Sequence, residues 1–277
     1  MSRLFLERYG PWALVTGASS GIGEQFARVL AERGFHLVIA ARRRELLDQL
    51  AAELGAAHGV QVDVLELDLG AADFMDRLLA ATAGKDVGLL VSNAGFGLKG
   101  LHHLQDPAQL DRMLDVNARA PTLIARAYAP QLIERGRGGL LFTGSLEGFA
   151  SFPWSAAYAA SKAYARSLGE ALWGELKPHG VDVLLLAPGA TDTEAVSLQG
   201  FDRTQLRGLM PPRDVVEMAL ARLAKGPVFV PGVMNRAMVR FLTLLPRRWA
   251  ILVAGKGTKA AMDKAARVRE AAPGNRV

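Results

Sequence analysis

Seven short apolar runs punctuate this chain: "WALVTG", "FHLVIA", "VDVLELD", "VGLLVSNAG", "GGLLFTG", "VDVLLLAPG" and "PVFVPG". Helical stretches separate them, among them "IGEQFARVLAERG", "RELLDQLAAELG" and a long one from Ala108 to Gly136. Apolar runs of roughly four to eight residues without strict alternation suit strands buried on both faces, as in a parallel sheet. Glycines at 34, 55, 136 and 180 are placed to end helices in the left-handed conformation. Strand and helix in regular alternation predict an α/β architecture, a doubly wound parallel seven-stranded sheet. No Pro/Ser-rich linker or internal repeat divides the chain. A single domain over residues 1–232 is expected, followed by a helical extension over 233–277 packed on the same domain.

That extension reads as an amphipathic helix to Leu245, a break at Pro246, a second short apolar stretch and a charged end. Covering a sheet edge or forming a subunit contact is the expected role, with contact to a membrane surface the less favoured one. Composition narrows the function. The chain has no cysteine, which excludes disulfides, thiolate metal sites and a cysteine nucleophile. The five histidines show no metal-ligand spacing, so no metal is expected. A net charge of +6 arises from 33 basic and 27 acidic residues, interspersed and with no basic groove for nucleic acid. The N-terminal stretch has no signal-peptide pattern, and no run reaches the roughly 20 apolar residues of a membrane span. A cytoplasmic protein is expected.

The first strand leads into "TGASSGIGEQFARVL". Glycines at 17, 21 and 23 permit a tight turn and let backbone approach a pyrophosphate. The helix that follows offers free N–H groups and a positive dipole end. The second strand ends at Ala41 rather than at a carboxylate, and Arg42, Arg43 and Arg44 follow. A carboxylate there would bond a ribose hydroxyl, whereas guanidinium groups bind a 2′-phosphate. The expected cofactor is therefore NADP rather than NAD, held by Arg42 and Arg43, with Arg44 left to solvent.

Further along stand "SNAG" (Ser92–Gly95), "LDVNARA" with Asn117, "GGLLFTGS" ending at Ser145, "YAASK" (Tyr158–Lys162) and "PGATDT" (Pro188–Thr193). Together with the "TGASSGIG" turn, and in this order, these motifs resemble the short-chain dehydrogenase/reductase family from about Pro11 to Gly232. The resemblance implies a single-domain Rossmann-like fold, a homodimer or homotetramer joined through the long fourth and fifth helices, and a small carbonyl or alcohol substrate. It assigns the catalytic set to Asn117, Ser145, Tyr158 and Lys162, with Asn117 anchoring a proton-supplying water and Lys162 also holding the nicotinamide ribose. Gly17, Ser19, Ser20, Gly21, Ile22, Gly23, Asp68, Leu69, Asn93, Ala94, Gly95, Pro188, Gly189, Thr191 and Thr193 complete the implied cofactor site.

Carbonyl reduction by hydride leaves an alkoxide that needs a proton, and Tyr158 is placed to supply it. An ammonium one helical turn away, about 6 Å of rise, should favour the phenolate and lower the tyrosine's pKa. Small residues between Tyr158 and Lys162 leave room for the cofactor; Tyr164 has the wrong spacing and is expected to pack. Ser145, at a strand's carboxyl end, can donate to the substrate oxygen. Phe96, Leu98, Phe149, Phe152 and Trp154 suggest an apolar pocket, and Glu147 either selects a polar group or faces solvent. Residues 195–208 are, by resemblance, a substrate lid. The expected activity is NADP(H)-dependent interconversion of a carbonyl and a secondary alcohol on an apolar substrate. Reduction of a 3-oxoacyl or other lipid carbonyl is the alternative among enzymes, and a non-catalytic NADP-binding sensor the alternative of another class.

Overall fold

A computed structural model of the chain describes residues 2–198 and 208–271, the side chains of Ser2 and of 261–271 excepted. Segment 199–207, most of the expected lid, lies outside the described residues. Seven parallel strands form one sheet in the order β3-β2-β1-β4-β5-β6-β7. They are β1 (Trp12–Thr16), β2 (His36–Ala41), β3 (Val62–Glu66), β4 (Val87–Ser92), β5 (Gly138–Thr143), β6 (Val181–Leu186) and β7 (Val228–Phe229). The order reverses at β1, with β2 on one side and β4 on the other, so the carboxyl ends of these strands flank the crevice where ligands bind in such sheets. Each of the seven apolar runs is one strand, and the doubly wound expectation holds.

Two buried clusters cover the two faces. One gathers Phe26, Leu30, Phe35 and Leu47 with Val215 and Leu220. The other gathers Phe74, Leu78, Ile124, Leu132 and Leu176. They come from helices on opposite sides: α2 (Gly21–Glu32), α3 (Arg44–His58) and α9 (Pro212–Arg222) against α4 (Phe74–Thr82), α6 (Ala120–Arg135) and α7 (Ala156–Leu176). An N-terminal helix, α1 (Ser2–Tyr9), is an element the strand pattern did not foretell; Tyr9 anchors it through its hydroxyl on Asp182 Oδ2 at 2.6 Å.

Two boundaries differ from expectation. Gly55 does not end α3, which continues to His58 and closes on Gly59 with φ 66°. The added turn is exposed, and it closes where the left-handed Gly59 donates its N–H to Gly55 O at 3.0 Å. The long helical stretch is interrupted: α5 (Pro107–Leu114) passes through a π turn at Asp115–Arg119 into α6. The chain's last part forms α10 (Val233–Leu244) and α11 (Arg247–Ala271) around Pro246, so the second segment is a long helix rather than a short stretch with a loose end. A short α8 (Glu194–Leu198) follows β6.

Candidate active site

β1 delivers the chain into the glycine turn. Gly17 and Gly21 both take left-handed φ values, +69° and +60°, which a side chain would strain. A Cβ on Gly17 would stand 2.8 Å from Ala94 Cα, and one on Gly23 would run into the Gly17 carbonyl. Close packing to the β4 exit is therefore why glycine is needed here. Asn93 ties three strand ends together: its Nδ2 donates to Thr16 O at 3.2 Å, and its Oδ1 accepts from Thr143 Oγ1 at 3.1 Å.

Ser20 caps α2 without a side-chain hydrogen bond, leaving the helix's first N–H groups open to an anion. A cavity of about 450 Å³ opens there, lined by Ser19, Ser20, Gly21, Arg43, Thr193 and Glu194 among others. Thr193 lies directly against Gly21. Arg43 crosses the rim, donating to Ser19 Oγ at 3.2 Å and to Glu194 Oε2 at 2.9 Å. Arg42 is exposed, and Arg44 pairs with Asp48 one turn on, as a solvated residue would. The turn and the open amides fit the diphosphate of a nicotinamide dinucleotide. On its other side Asp68 accepts from Gly70 N at 3.0 Å and from Arg112 of α5, next to buried Leu69. Thr191 donates to Gly189 O at 3.1 Å, and Pro188 O accepts Leu146 N at 3.2 Å, tying the β6 exit to the β5 exit.

The acid–base candidates converge beyond β5. Ser145 Oγ accepts Glu147 N at 3.2 Å and lies near enough to the Tyr158 hydroxyl to favour its ionisation. Lys162, only 5% exposed, donates from Nζ to Thr143 O at 2.9 Å, with Nζ 5.8 Å from the Tyr158 ring centre. Asn117 sits in the π turn, which re-aims a helical side chain inward. It is 2% exposed; its Nδ2 donates to Phe96 O at 2.9 Å and Ser161 Oγ at 3.1 Å, and its Oδ1 accepts Phe96 N at 3.1 Å. A Cβ on Gly95 would fall 2.9 Å from Asn117 Oδ1 and 3.1 Å from Lys162 Nζ. The four candidates therefore surround one narrow space.

Their protonation differs from the sequence-based expectation. Burial, then the Glu147 carboxylate, push the Tyr158 hydroxyl above its ordinary pKa, against the nearby Ser145 hydroxyl, which lowers it. Burial pulls Lys162 down to about 8. The direction at Tyr158 is set first by burial, which disfavours the phenolate, rather than by the neighbouring lysine.

Other placements also depart from the reading of the sequence. Tyr164 does not pack; it is 46% exposed and its hydroxyl meets Thr122 Oγ1 at 2.9 Å. Phe96 and Phe149 are half-buried against the second core cluster, Phe149 beneath the Arg166 guanidinium. Trp154 has φ 61° and packs on Gly255 of α11. Glu147 neither faces solvent nor stands free: Lys99 Nζ lies 2.5 Å from its Oε1 and Ser155 Oγ 2.5 Å from its Oε2. Lys99 and Ser155 were missed, although a lysine inside the apolar "GFGLKG" loop was the available signal.

The family model described as short chain dehydrogenase matches residues 11–202. A 7beta-hydroxysteroid dehydrogenase of Clostridium sardiniense is 33% identical over 253 residues, 91% of this chain and 97% of that protein. A very-long-chain 3-oxoacyl-CoA reductase of Anas platyrhynchos is 33% identical over 201 residues, 70% of this chain and 64% of that protein. Among solved structures, a short-chain dehydrogenase from Sphingobium yanoikuyae in complex with NADPH superposes with a TM-score of 0.77 at 30% identity, covering 97% of this chain and 98% of that one.

Proposed function

Since the chain belongs to the short-chain dehydrogenase family and is an oxidoreductase of that family, we propose that it interconverts a large apolar carbonyl compound and its secondary alcohol using NADP(H). The observation that carries this reading is the convergence of Ser145, Tyr158, Lys162 and Asn117 beside the glycine turn. Bound NADPH would supply the hydride. Ser19, Gly21, Gly23 and Thr193 would hold its diphosphate side, Arg42 and Arg43 its 2′-phosphate, and Lys162 a ribose hydroxyl.

The chain's own task is the proton. Tyr158, kept protonated by burial and by Glu147, is an acid ready to give its proton to a developing alkoxide. Ser145, beside the phenol, can donate to the same substrate oxygen. Lys162, poised near pH 8, can return a proton through the polar cluster that Asn117 holds in place. Restoring the Tyr158 proton from this side leaves its hydroxyl face to the substrate.

Two relatives act, by their names, on a hydroxysteroid and on a very-long-chain 3-oxoacyl thioester. Large apolar bodies around one carbonyl are common to both, and the aromatic loop with Phe152 and Trp154 supports such a substrate. A 3-oxoacyl chain remains the second reading, favoured by the apolar helices α10 and α11 beside that loop. A cofactor sensor without catalysis is disfavoured by the intact acid–base cluster. A homo-oligomer joined through α6 and α7 belongs to the same reading, since the half-exposed Tyr164 lies on α7.

The test is NADPH oxidation with steroid, aromatic and long-chain ketones, run beside Tyr158→Phe. Turnover on bulky ketones that falls at least about 10³-fold in the variant is expected. Equal turnover by the variant would refute the assignment of Tyr158.

A further inference from the structure

Helices α10 and α11 leave one face uncovered. Leu242, Ala250 and Ala254 are buried on the inner side. On the outer side Met234 is 81% exposed, Phe241 54%, Leu244 74% and Trp249 58%, with Met238, Leu252 and Val253 also exposed. Met234, Met238 and Phe241 repeat at intervals of four and three, which aligns them along one stripe of α10. Trp249, Leu252, Val253 and Lys256 do the same on α11.

The charge on this surface has one sign. From Val233 to Ala260 the cations are Arg236, Arg240, Arg247, Arg248, Lys256 and Lys259, and there is no Asp or Glu. None of these six forms an ion pair among the described residues; Arg236 donates to Val230 O at 3.1 Å. We propose that the outer face of α10 and α11 seats on an anionic lipid surface, its apolar stripes in the headgroup boundary and its cations among the phosphates.

Other occupants fit less well. A second copy on a two-fold axis would set these six cations against their own counterparts, with no carboxylate between Val233 and Ala260 to offset them. Nucleic acid would accept the cations but leave Phe241, Leu244 and Trp249 wet. An anionic bilayer accepts both components, with charge and apolar burial acting together. No described helix is long and apolar enough to cross a membrane, so the contact would be lateral.

The same helices reach the site. Asn235 of α10 donates to Pro231 O at 2.8 Å and lies against Gly189, and Gly255 of α11 packs on Pro153 and Trp154. Lipid contact would therefore hold the substrate end of the cleft near the bilayer, where a large apolar carbonyl compound is dissolved. This last step rests on the proposed function; the docking itself does not.

The experiment is flotation of the full chain with vesicles of phosphatidylcholine alone and of phosphatidylcholine mixed equally with phosphatidylglycerol, at low and high salt. Expected is flotation with the anionic vesicles only, released by salt. Binding should weaken at least about tenfold in Phe241→Ser/Trp249→Ser and in Arg240→Gln/Arg248→Gln. Both variants should keep the parent's turnover of a water-soluble ketone, so loss of docking and failure of the catalytic reading are told apart. Absence of binding, or equal binding to neutral vesicles, would overturn the proposal. So would a sedimenting dimer that Phe241→Ser/Trp249→Ser converts to monomer, which would make this face a contact between copies.

Discussion

Lys99 and Glu147 meet as a nearly enclosed ion pair beside Tyr158: the nitrogen lies 2.5 Å from the carboxylate and 5.0 Å from the phenol ring centre. The lysine side chain is 7% exposed and the glutamate 21%, so solvent screens little of what they do to the phenol. The carboxylate disfavours the phenolate, and by its sign an ammonium 5.0 Å from the ring centre should act in the opposite direction.

Substitutions on either side should therefore move the pH profile in opposite senses. Alcohol oxidation requires the phenolate, so its rate should rise with pH through the Tyr158 ionisation. Glu147→Gln should bring that rise to lower pH and Lys99→Met should take it to higher pH, with the double variant near the parent. Initial rates across pH settle this. Shifts of the same sign, or none, would mean that the pair only holds the two loops together. Each single change should also cost about 3 kcal/mol in stability, because it strands a buried charge.

Cofactor choice should depend on Arg43 and on its present partner. The guanidinium is half exposed and shared between Ser19 and Glu194, a pair that an incoming phosphate would have to replace. Arg43→Ala should raise the KM for NADPH about 10- to 100-fold and leave that for NADH nearly unchanged. Glu194→Gln, by freeing the guanidinium, should lower the KM for NADPH. Steady-state kinetics with both cofactors give the answer. An equal loss with both would assign Arg43 to the turn's structure rather than to a phosphate.

What could be read in advance follows from how local each feature is. The seven strands were legible because each lies within a contiguous, largely apolar run; β1, β2, β4, β5 and β6 are mostly buried, while the edge strands β3 and β7 are only partly so. The candidate site's positions on the strand ends and helices were legible because the glycine turn, Ser145 and the Tyr158–Lys162 helical turn are fixed by short-range spacing. The Lys99–Glu147–Ser155 cluster joins loops 48 and 56 residues apart, and no periodicity announces it. The π turn at Asn117 was hidden for a different reason: one extra residue in a helix leaves the hydrophobic pattern on either side unchanged. Tyr158 was misjudged in sign because the sequence shows the neighbouring lysine but not the depth of burial. Tyr164, read as packed, stands on the surface because a tyrosine's hydrophobicity alone does not say which face of α7 it occupies.

Lys162 should cost stability at neutral pH. Its pKa falls from the ordinary 10.5 to about 8 through burial, an upper bound of about 3 kcal/mol against the folded state while the amine is charged. Losing its hydrogen bond to Thr143 O returns about 1–2 kcal/mol of that. Lys162→Met should thus be more stable than the parent by about 1 kcal/mol near pH 7, and inactive. The folded state binds fewer protons than the unfolded one between about pH 8 and 10.5, so the parent gains stability as pH rises through that window. The gap in Tm, about 2 °C near pH 7, should close by about pH 9.5. A gap independent of pH would show that the amine is not buried as a cation.

Gly95 offers a way to disturb the site while sparing the fold. Its φ is not left-handed, and its surroundings are open except where a Cβ would meet Asn117 Oδ1 and Lys162 Nζ. Gly95→Ala would therefore press a methyl group between the two polar side chains without straining its own backbone. Neighbours only 2.9 and 3.1 Å away must move by some tenths of an ångström. Asn117 can move little, since three hydrogen bonds to Phe96 and Ser161 hold it, so Lys162 must turn away from Thr143. Turnover should fall about 10²-fold, the cost of a misplaced proton relay, with Tm within about 2 °C of the parent. A large drop in Tm with kcat unchanged would place the methyl group in the core and not in the gap between Asn117 and Lys162.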